Sequence, residues 1–273
     1  MINIRARFIR GEEVKYISHL DMMKMFERAL RRSHIPIYYS QGFNPHPQIV
    51  FGLPISVGVT SDAEYVDFEL SEDMEPSTFV ENLNKQLPMG LKLDEAKVRT
   101  SKSNIMASIS KASYEVLATI EQNPGLEEVN ENILRFLENK EIFIKKESKG
   151  KVRDVDIRPM IHKFSAKCIA KNGVLAESAE VAHDSSNIAL LEYIDKLNSI
   201  NDLQIDKEVN GYYGFSLLLS AGSMANLKPE FVLQSFSKAT GYALDVLKIH
   251  RSGLFIDKGE KILNPLDNEL LAI

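Results

Sequence analysis

The sequence is poor in the residues that build disulfides and metal clusters. Its single cysteine, Cys168, excludes an intramolecular disulfide, a thiolate zinc site and an iron–sulfur cluster held by cysteines of this chain. No apolar run reaches the ~18–20 residues that span a bilayer. The opening MINIRARFIRGEE carries charges where a secretory signal has its apolar core. We therefore expect a cytoplasmic protein without a membrane partner.

Charge is spread unevenly along the 273 residues, whose formal net charge is −5. Residues 1–50 hold eight Lys and Arg against four Asp and Glu, and residues 140–171 hold ten against four. Two basic segments in an acidic chain predict a local anion-binding surface, although ordinary solvated faces have the same composition.

The first half alternates strand and helix patterns. Alternation over residues 2–8 predicts a half-buried strand, and Ser18 precedes an amphipathic helix with Asp21 at the capping-box position. The remaining predictions for this half are strands at 35–39, 49–59, 64–70 and 91–98 and a helix that begins at Pro76. The order β-α-β-β-α-β is typical of the ferredoxin-like fold.

The second half repeats this kind of pattern. Strands are predicted at 114–120, 211–220, 243–251 and 253–256, helices from Leu126 and Pro229, a hairpin over 141–161, a second hairpin turn at Asn172-Gly173 and a short helix through Ile194 and Leu197. We therefore predict an α+β protein with a ferredoxin-like domain at 1–105 and a second α+β domain at 106–273, for which another ferredoxin-like unit is the candidate. His250 and Arg251 are expected at the surface.

One cluster of candidate residues suits acid–base or metal chemistry. His19, Asp21 and His46 carry imidazole and carboxylate groups, which transfer protons and bind divalent ions. Their spacing matches no metal signature, so whether a metal binds stays open. The structural alternative is that His19 and Asp21 cap the helix while Asn44 and the prolines of SQGFNPHP stiffen a turn.

A second set of residues suits nucleic-acid binding. Cations can neutralise phosphates, aromatic rings can stack on unpaired bases, and polar loop residues can shape a pocket. The candidates are Lys24, Arg28, Arg31 and Arg32 on the helix, and Tyr39, Gln41, Gly42, Phe43 and Asn44 in the loop. Gly42 is also a candidate for positive φ. The alternative for Tyr39 is burial in the core. We predict that the basic helix and the 40–47 loop share one cleft.

These same residues carry a family resemblance. The run from YISHLD to SQGFNPHP and on to residue 70 resembles the radical-SAM-linked bacterial protein family, a domain of unknown function, and DIRPMI (156–161), LKPEFVL (227–233) and HRSGLF (250–255) are similar to its later segments. The resemblance implies a radical S-adenosylmethionine protein as partner, in the modification or processing of transfer or ribosomal RNA. Since the chain has no CxxxCxxC motif, it would be the companion of the radical enzyme and would hold no cofactor itself.

Three functions stay open at this point. The first is an RNA-binding accessory that presents RNA, with no DNA expected, to the radical enzyme through the helix and the loop. The second is an enzyme that acts on RNA or a nucleotide with His19, Asp21 and His46. The third is a module that only recruits another protein.

Overall fold

The computed structural model describes residues 2–148, 150–171, 174–175, 190, 192, 211–259 and 261–272. The chain forms two compact units. Unit 1 comprises Met1–Ala112, Ala221–Met224 and Arg251–Ile273, and unit 2 comprises Ser113–Ser220 and Ala225–His250. The sequence assigned everything after residue 105 to the second domain, whereas the segment from Arg251 onward lies with unit 1.

The helices and strands follow one another along both units. In chain order they are β1 (Ile2–Arg10), α1 (His19–Ser33), β2 (Ile49–Phe51), β3 (Thr60–Leu70), α2 (Pro76–Asn84), β4 (Leu91–Arg99), α3 (Ile105–Ser108), β5 (Lys111–Ile120), α4 (Leu126–Glu138), β6 (Phe143–Ser148), β7 (Lys151–Asp156), β8 (Ile161–Lys171), β9 (Val174–Leu175), β10 (Gly211–Ser220), α5 (Pro229–Thr240), β11 (Leu244–Asp257), β12 (Ile262–Leu263) and α6 (Asn268–Leu271). Two short 3-10 turns, Glu12–Val14 and Arg158–Met160, complete this set.

Unit 1 has the strand order of the ferredoxin-like fold. β4, β1 and β3 are neighbours in that order, both pairings of β1 are antiparallel, and β2 pairs antiparallel with β3. The mixed α+β class predicted from the sequence is confirmed. β11 also pairs with β3, and Arg251 on β11 accepts a hydrogen bond from Ser61 Oγ through its carbonyl group. This pairing, together with hydrogen bonds from Arg5, Thr100 and Ser101 to the C-terminal segment, joins the chain after Arg251 to unit 1.

Two predicted strands of unit 1 are shorter than expected. The strand over 49–59 ends at Phe51, and residues 35–39 make only isolated bridges, at Ile37 and Tyr39. Pro54 supplies no backbone N–H to a strand ladder, and Gly58 has a φ of 88°. The loop over 52–59 is instead tied to the rest of unit 1 by individual hydrogen bonds.

The core of unit 1 lies between one face of the sheet and the helices. Phe8 on β1 and Phe68 on β3 face Phe26 on α1, and the rings of Phe8 and Phe26 meet edge-on at 5.2 Å. The predicted amphipathic pattern of α1 is confirmed, because Met22, Phe26, Ala29 and Leu30 are its buried residues. Because this apolar stripe is buried, the opposite face of α1 is exposed to solvent.

The other face of this sheet is held by ion pairs and by the C-terminal segment. Arg5 and Asp67 are direct cross-strand partners, with Nε 2.7 Å from Oδ1, and Arg5 also donates to the carbonyl of Pro265. The backbone N–H groups of Thr100 and Ser101 donate to the carbonyl of Leu271. These contacts cover the sheet surface on the side away from α1 and α2.

Unit 2 has the same strand order as unit 1. Its sheet runs β11-β5-β10-β8-β9, and its elements follow the β-α-β-β-α-β sequence with the β6–β7 hairpin inserted after α4. That hairpin confirms the strand pair predicted within 141–161. Three features considered in the sequence lie outside the part that the structure describes: the turn at Asn172-Gly173, the helical positions Ile194 and Leu197, and the side chain of Cys168. Within the described part of the chain, no helix has the length and apolarity to cross a membrane.

Candidate functional site

The N-terminus of α1 is capped by the predicted Ser18 and Asp21 pair. Ser18 Oγ accepts the Asp21 backbone N–H at 3.2 Å and donates to Asp21 Oδ2 at 2.7 Å. Among the described residues, no hydrogen bond joins Asp21 to His19. Asp21 therefore serves the helix terminus, where its negative charge also interacts favourably with the helix dipole.

His19 lies half-buried beside β2. Its ring meets the ring of Phe51 edge-on, with centroids 5.4 Å apart. Burial lowers the pKa of His19, the charge of Glu64 raises it in part, and the charge of Arg10 lowers it further. The imidazole is therefore neutral at pH 7 and able to accept a proton.

A buried charge network lies beside His19. Arg251 is 1% exposed and Glu64 is 3% exposed, and Arg251 Nε donates to Glu64 Oε1 at 2.7 Å, with a second hydrogen bond between Nη2 and Oε2. Arg10, which is fully buried, donates through Nη2 to the carbonyls of Lys15 and Ile17, each at 2.7 Å. Burial lowers the pKa of Arg10.

This network anchors two segments near His19, namely the chain that precedes α1 and the loop that follows β2. Arg10 reaches the chain before α1, and Arg251 donates to the carbonyl of Leu53 at 3.1 Å in the loop after β2. Arg10 and Glu64 were not among the residues predicted from the sequence, and the expectation that His250 and Arg251 are surface residues is wrong, since both are buried. Strand alternation carried a signal, because Arg10 continues the inward-facing row of Ile4, Ala6 and Phe8.

The predicted basic residues occupy the solvent face of α1. Lys24, Arg28, Arg31 and Arg32 are all exposed. Lys24 Nζ lies 3.8 Å from Asp21 Oδ1, and Arg32 Nη2 donates to the carbonyl of Gln86 at 2.6 Å, after α2. In the described part of the chain, Arg28 and Arg31 make no ion pair. Two of the four predicted cations are thus fully available to a ligand.

The 40–47 loop is closed by its own hydrogen bonds. Ser40 N–H donates to the carbonyl of His46 at 2.9 Å, and His46 N–H donates to Ser40 Oγ at 3.0 Å. The side-chain amide of Asn44 lies 3.1 Å from His46 Nε2, and Tyr39 bridges to Pro47 at the base of the loop. His46 and Asn44 thereby stiffen the turn, as in the structural alternative for Asn44.

The tip of this loop is turned to solvent. Phe43 has a relative exposure of 111%, and Gln41, Gly42 and Asn44 are exposed as well. Gly42 has a φ of 134° with no atom within 4 Å of the place that a Cβ would take, which confirms the positive φ predicted for it. Tyr39 is half-buried and packs against the core of unit 1, so of the two aromatic candidates only Phe43 presents its whole ring.

The two halves of the predicted site are not joined directly. Among the described residues, no hydrogen bond, ion pair or ring contact links residues 19–21 to residues 40–47. No three His, Cys, Asp or Glu side chains in the described part of the chain form a group that could hold a metal ion. The predicted metal site of His19, Asp21 and His46 therefore has no support in the geometry.

The comparison with protein families decides the classification of the chain. Residues 3–190 match the family described as "Uncharacterized protein conserved in bacteria (DUF2344)". The chain belongs to this family. No curated protein matches the sequence. The DUF2344 description agrees with the unknown function in the resemblance and does not itself mention a radical enzyme.

Two solved structures are similar to the chain at low identity. The first, "Crystal Structure of a Cbf5-Nop10-Gar1 Complex", is 9% identical over 95% of this chain, with a TM-score of 0.44. The chain spans 50% of the length of that protein. The second, "Crystal Structure of an Unknown Protein from Galdieria sulphuraria", is 9% identical, covers 90% of this chain and 96% of that one, and has a TM-score of 0.23. Neither score supports a conclusion about function.

Proposed function

We propose that this DUF2344 protein binds RNA through unit 1 and presents it to a radical S-adenosylmethionine protein. The two parts of the proposal have different support. RNA binding is supported by the exposed cations of α1 and the exposed ring of Phe43. The radical enzyme is supported by the sequence resemblance alone.

The observation that carries RNA binding is the contrast between used and unused cations in unit 1. On β1, Arg5 is paired with Asp67, Arg7 Nη2 lies 2.7 Å from Asp94 Oδ2, and Arg10 donates to buried carbonyls. Those arginines stabilise the fold. Arg28 and Arg31 are three residues apart on one helix face, and among the described residues neither makes an ion pair with a carboxylate. Such a pair attracts phosphates, and its contribution weakens with salt.

The exposed loop tip adds a means of contacting bases. Stacking of a fully exposed phenylalanine ring on an unpaired base favours binding by about 1–3 kcal/mol per base. The neighbouring amides of Gln41 and Asn44 can both donate to and accept from base edges. Bases in a single-stranded or looped RNA segment are accessible to an exposed side chain, whereas bases inside an RNA helix are stacked and paired. We therefore propose a single-stranded or looped RNA segment as the ligand of this protein loop.

The test of RNA binding is a filter-binding titration of the full chain with bulk transfer RNA at several salt concentrations. The variant Arg28→Gln/Arg31→Gln should bind more weakly and with a shallower salt dependence, by about 0.7–0.9 in slope for each phosphate that the variant no longer neutralises. The matched control Lys92→Gln/Lys102→Gln removes two other exposed charges from unit 1. Equal effects in both variants, or no binding by the wild type, would refute this part of the proposal.

The partnership needs a separate experiment. The radical S-adenosylmethionine protein encoded nearest to this gene, co-expressed with a tagged copy of this chain, should co-purify with it. Ribonuclease treatment distinguishes the arrangements. Co-purification that depends on RNA supports presentation of a shared RNA, while co-purification that survives treatment and a wild type that binds no RNA indicate the recruitment module instead.

A second candidate function is acid–base chemistry at His19, which lies half-buried against Phe51 and close enough to Glu64 and Arg10 for their charges to act on it. A neutral imidazole at pH 7 is the form that a general base requires. Asp21 is engaged at the helix cap, so His19 would act without it. The test uses the complex of this chain with the radical S-adenosylmethionine protein. If His19→Gln abolishes RNA modification or processing by that complex while RNA affinity is unchanged, this candidate is supported over RNA presentation alone.

A further inference from the structure

The β6–β7 hairpin of unit 2 separates its charges onto two faces. Direct cross-strand partners share a face, and successive pairs alternate between the two faces. In order, the six pairs are Phe143↔Asp156, Ile144↔Val155, Lys145↔Asp154, Lys146↔Arg153, Glu147↔Val152 and Ser148↔Lys151. All three carboxylates of the hairpin, from Glu147, Asp154 and Asp156, therefore lie on one face. The opposite face, which we call the cationic face, carries Lys146, Lys151 and Arg153 and no carboxylate.

The cationic face contains an arrangement that costs stability. Lys146 and Arg153 are directly opposite each other, and like charges in that position repel. Both side chains and that of Lys151 are exposed, and in the described part of the chain none of the three makes an ion pair. β6 and β7 form a two-stranded sheet of their own, so no further strand of the described residues supplies compensating groups. An anionic partner would remove the repulsion.

The chemistry of this face favours a nucleic-acid backbone over an acidic protein. Protein interfaces bury a largely apolar centre. On the cationic face the apolar residues, Ile144 and Val155, are half-buried at the base of the hairpin. The exposed apolar side chains, Phe143 and Val152, belong to the other face. The cationic face, which has exposed positive charge and no exposed apolar side chain, matches the polar, positively charged interfaces that contact phosphates.

We propose that the cationic face of the β6–β7 hairpin is a second RNA-binding surface, which contacts the phosphate backbone. The inference rests on the proposed RNA binding of unit 1 and extends it to unit 2. It also gives a role to three cations of the basic segment 140–171, since the hairpin places Lys146, Lys151 and Arg153 on one face.

The test compares two double variants of the full chain in titrations with fluorescent bulk transfer RNA between 50 and 200 mM salt, concentrations chosen because phosphate contacts are salt-dependent over that range. Lys146→Gln/Arg153→Gln removes two charges from the cationic face. The control Lys145→Gln/Lys238→Gln removes two exposed charges that line a groove between the other face and α5. Far-UV circular dichroism should show that both variants are folded, since every altered side chain is exposed.

We expect the salt slope of the cationic-face variant to fall by roughly 1.4–1.8 for two phosphates, and its affinity to fall at least about tenfold at 0.1 M salt, with a much smaller effect in the control. Equal effects in the two variants overturn the inference. An unaffected cationic-face variant together with a weakened Arg28→Gln/Arg31→Gln variant overturns it while the proposed function stands. A wild type that binds no RNA overturns both. Polyglutamate serves as a probe for an acidic protein partner. If the cationic-face variant loses binding to polyglutamate but keeps its binding to RNA, the inference is overturned in favour of such a partner.

Discussion

The buried pair of Glu64 and Arg251 allows a sharp prediction about unit 1. In Glu64→Gln the shape of the side chain is kept while its charge is lost. Arg251 is 1% exposed and Arg10 is fully buried, so two guanidinium groups would then lack the carboxylate whose charge acts on both of them. Removal of one partner from a buried ion pair costs about 3–5 kcal/mol, because the remaining charge stays desolvated.

The size of this effect is measured against an exposed ion pair. Glu81 and Lys85 lie 2.7 Å apart on the surface of unit 1, with both side chains more than half exposed. Glu81→Gln makes the same chemical change, and we expect little loss of stability because water already solvates both charges. The double variant Glu64→Gln/Arg251→Gln should lose less than the sum of its single variants, since each single change leaves the partner unpaired.

Two measurements check the prediction. The chain has no tryptophan, so urea unfolding is followed by far-UV circular dichroism. Hydrogen exchange then locates the effect: Arg251 and Arg10 hold the carbonyls of Leu53 and Ser56, so amides of the 52–59 loop should exchange faster in Glu64→Gln. A loss below about 1 kcal/mol, with exchange in this loop unchanged, would show that water reaches the pair and that the burial argument is wrong.

Three further predictions concern the candidate sites. The pKa of His19 is lowered from 6.5 in the folded protein, so as the pH falls this histidine is protonated in the unfolded chain first. The free energy of unfolding should therefore drop below pH 6.5 in the wild type and drop less in His19→Gln, as measured by urea unfolding at pH 7.5 and 5.5. Phe43→Ala should weaken binding of single-stranded RNA by about 1–3 kcal/mol per stacked base in the same titrations, whereas Tyr16→Ala, which removes another exposed ring, should not. Lys146→Gln should leave the Tm equal to or above that of the wild type, because it removes a like-charge pair, while Lys145→Gln should lower it slightly by leaving Asp154 without its cross-strand partner.

The sequence determined the local elements that have a strong periodic pattern. The apolar stripe of α1, its Ser18–Asp21 cap and the β6–β7 hairpin were all predicted from spacing alone, because each depends on residues close in the chain. The α+β class followed from the order of these elements. Gly42 was also identified correctly, because a glycine in a turn-rich loop signals a positive φ.

Tertiary structure alone decided which charges remain available. Sequence composition treats Arg10, Arg28 and Arg251 alike, yet the fold buries the first and the last and leaves Arg28 in water. Burial depends on strand register and on partners far along the chain, since Glu64 and Arg251 are 187 positions apart. Residue spacing placed the cations of α1 on one face, but only the packing of β11 beside β3 showed which arginines serve the fold and which can meet a ligand.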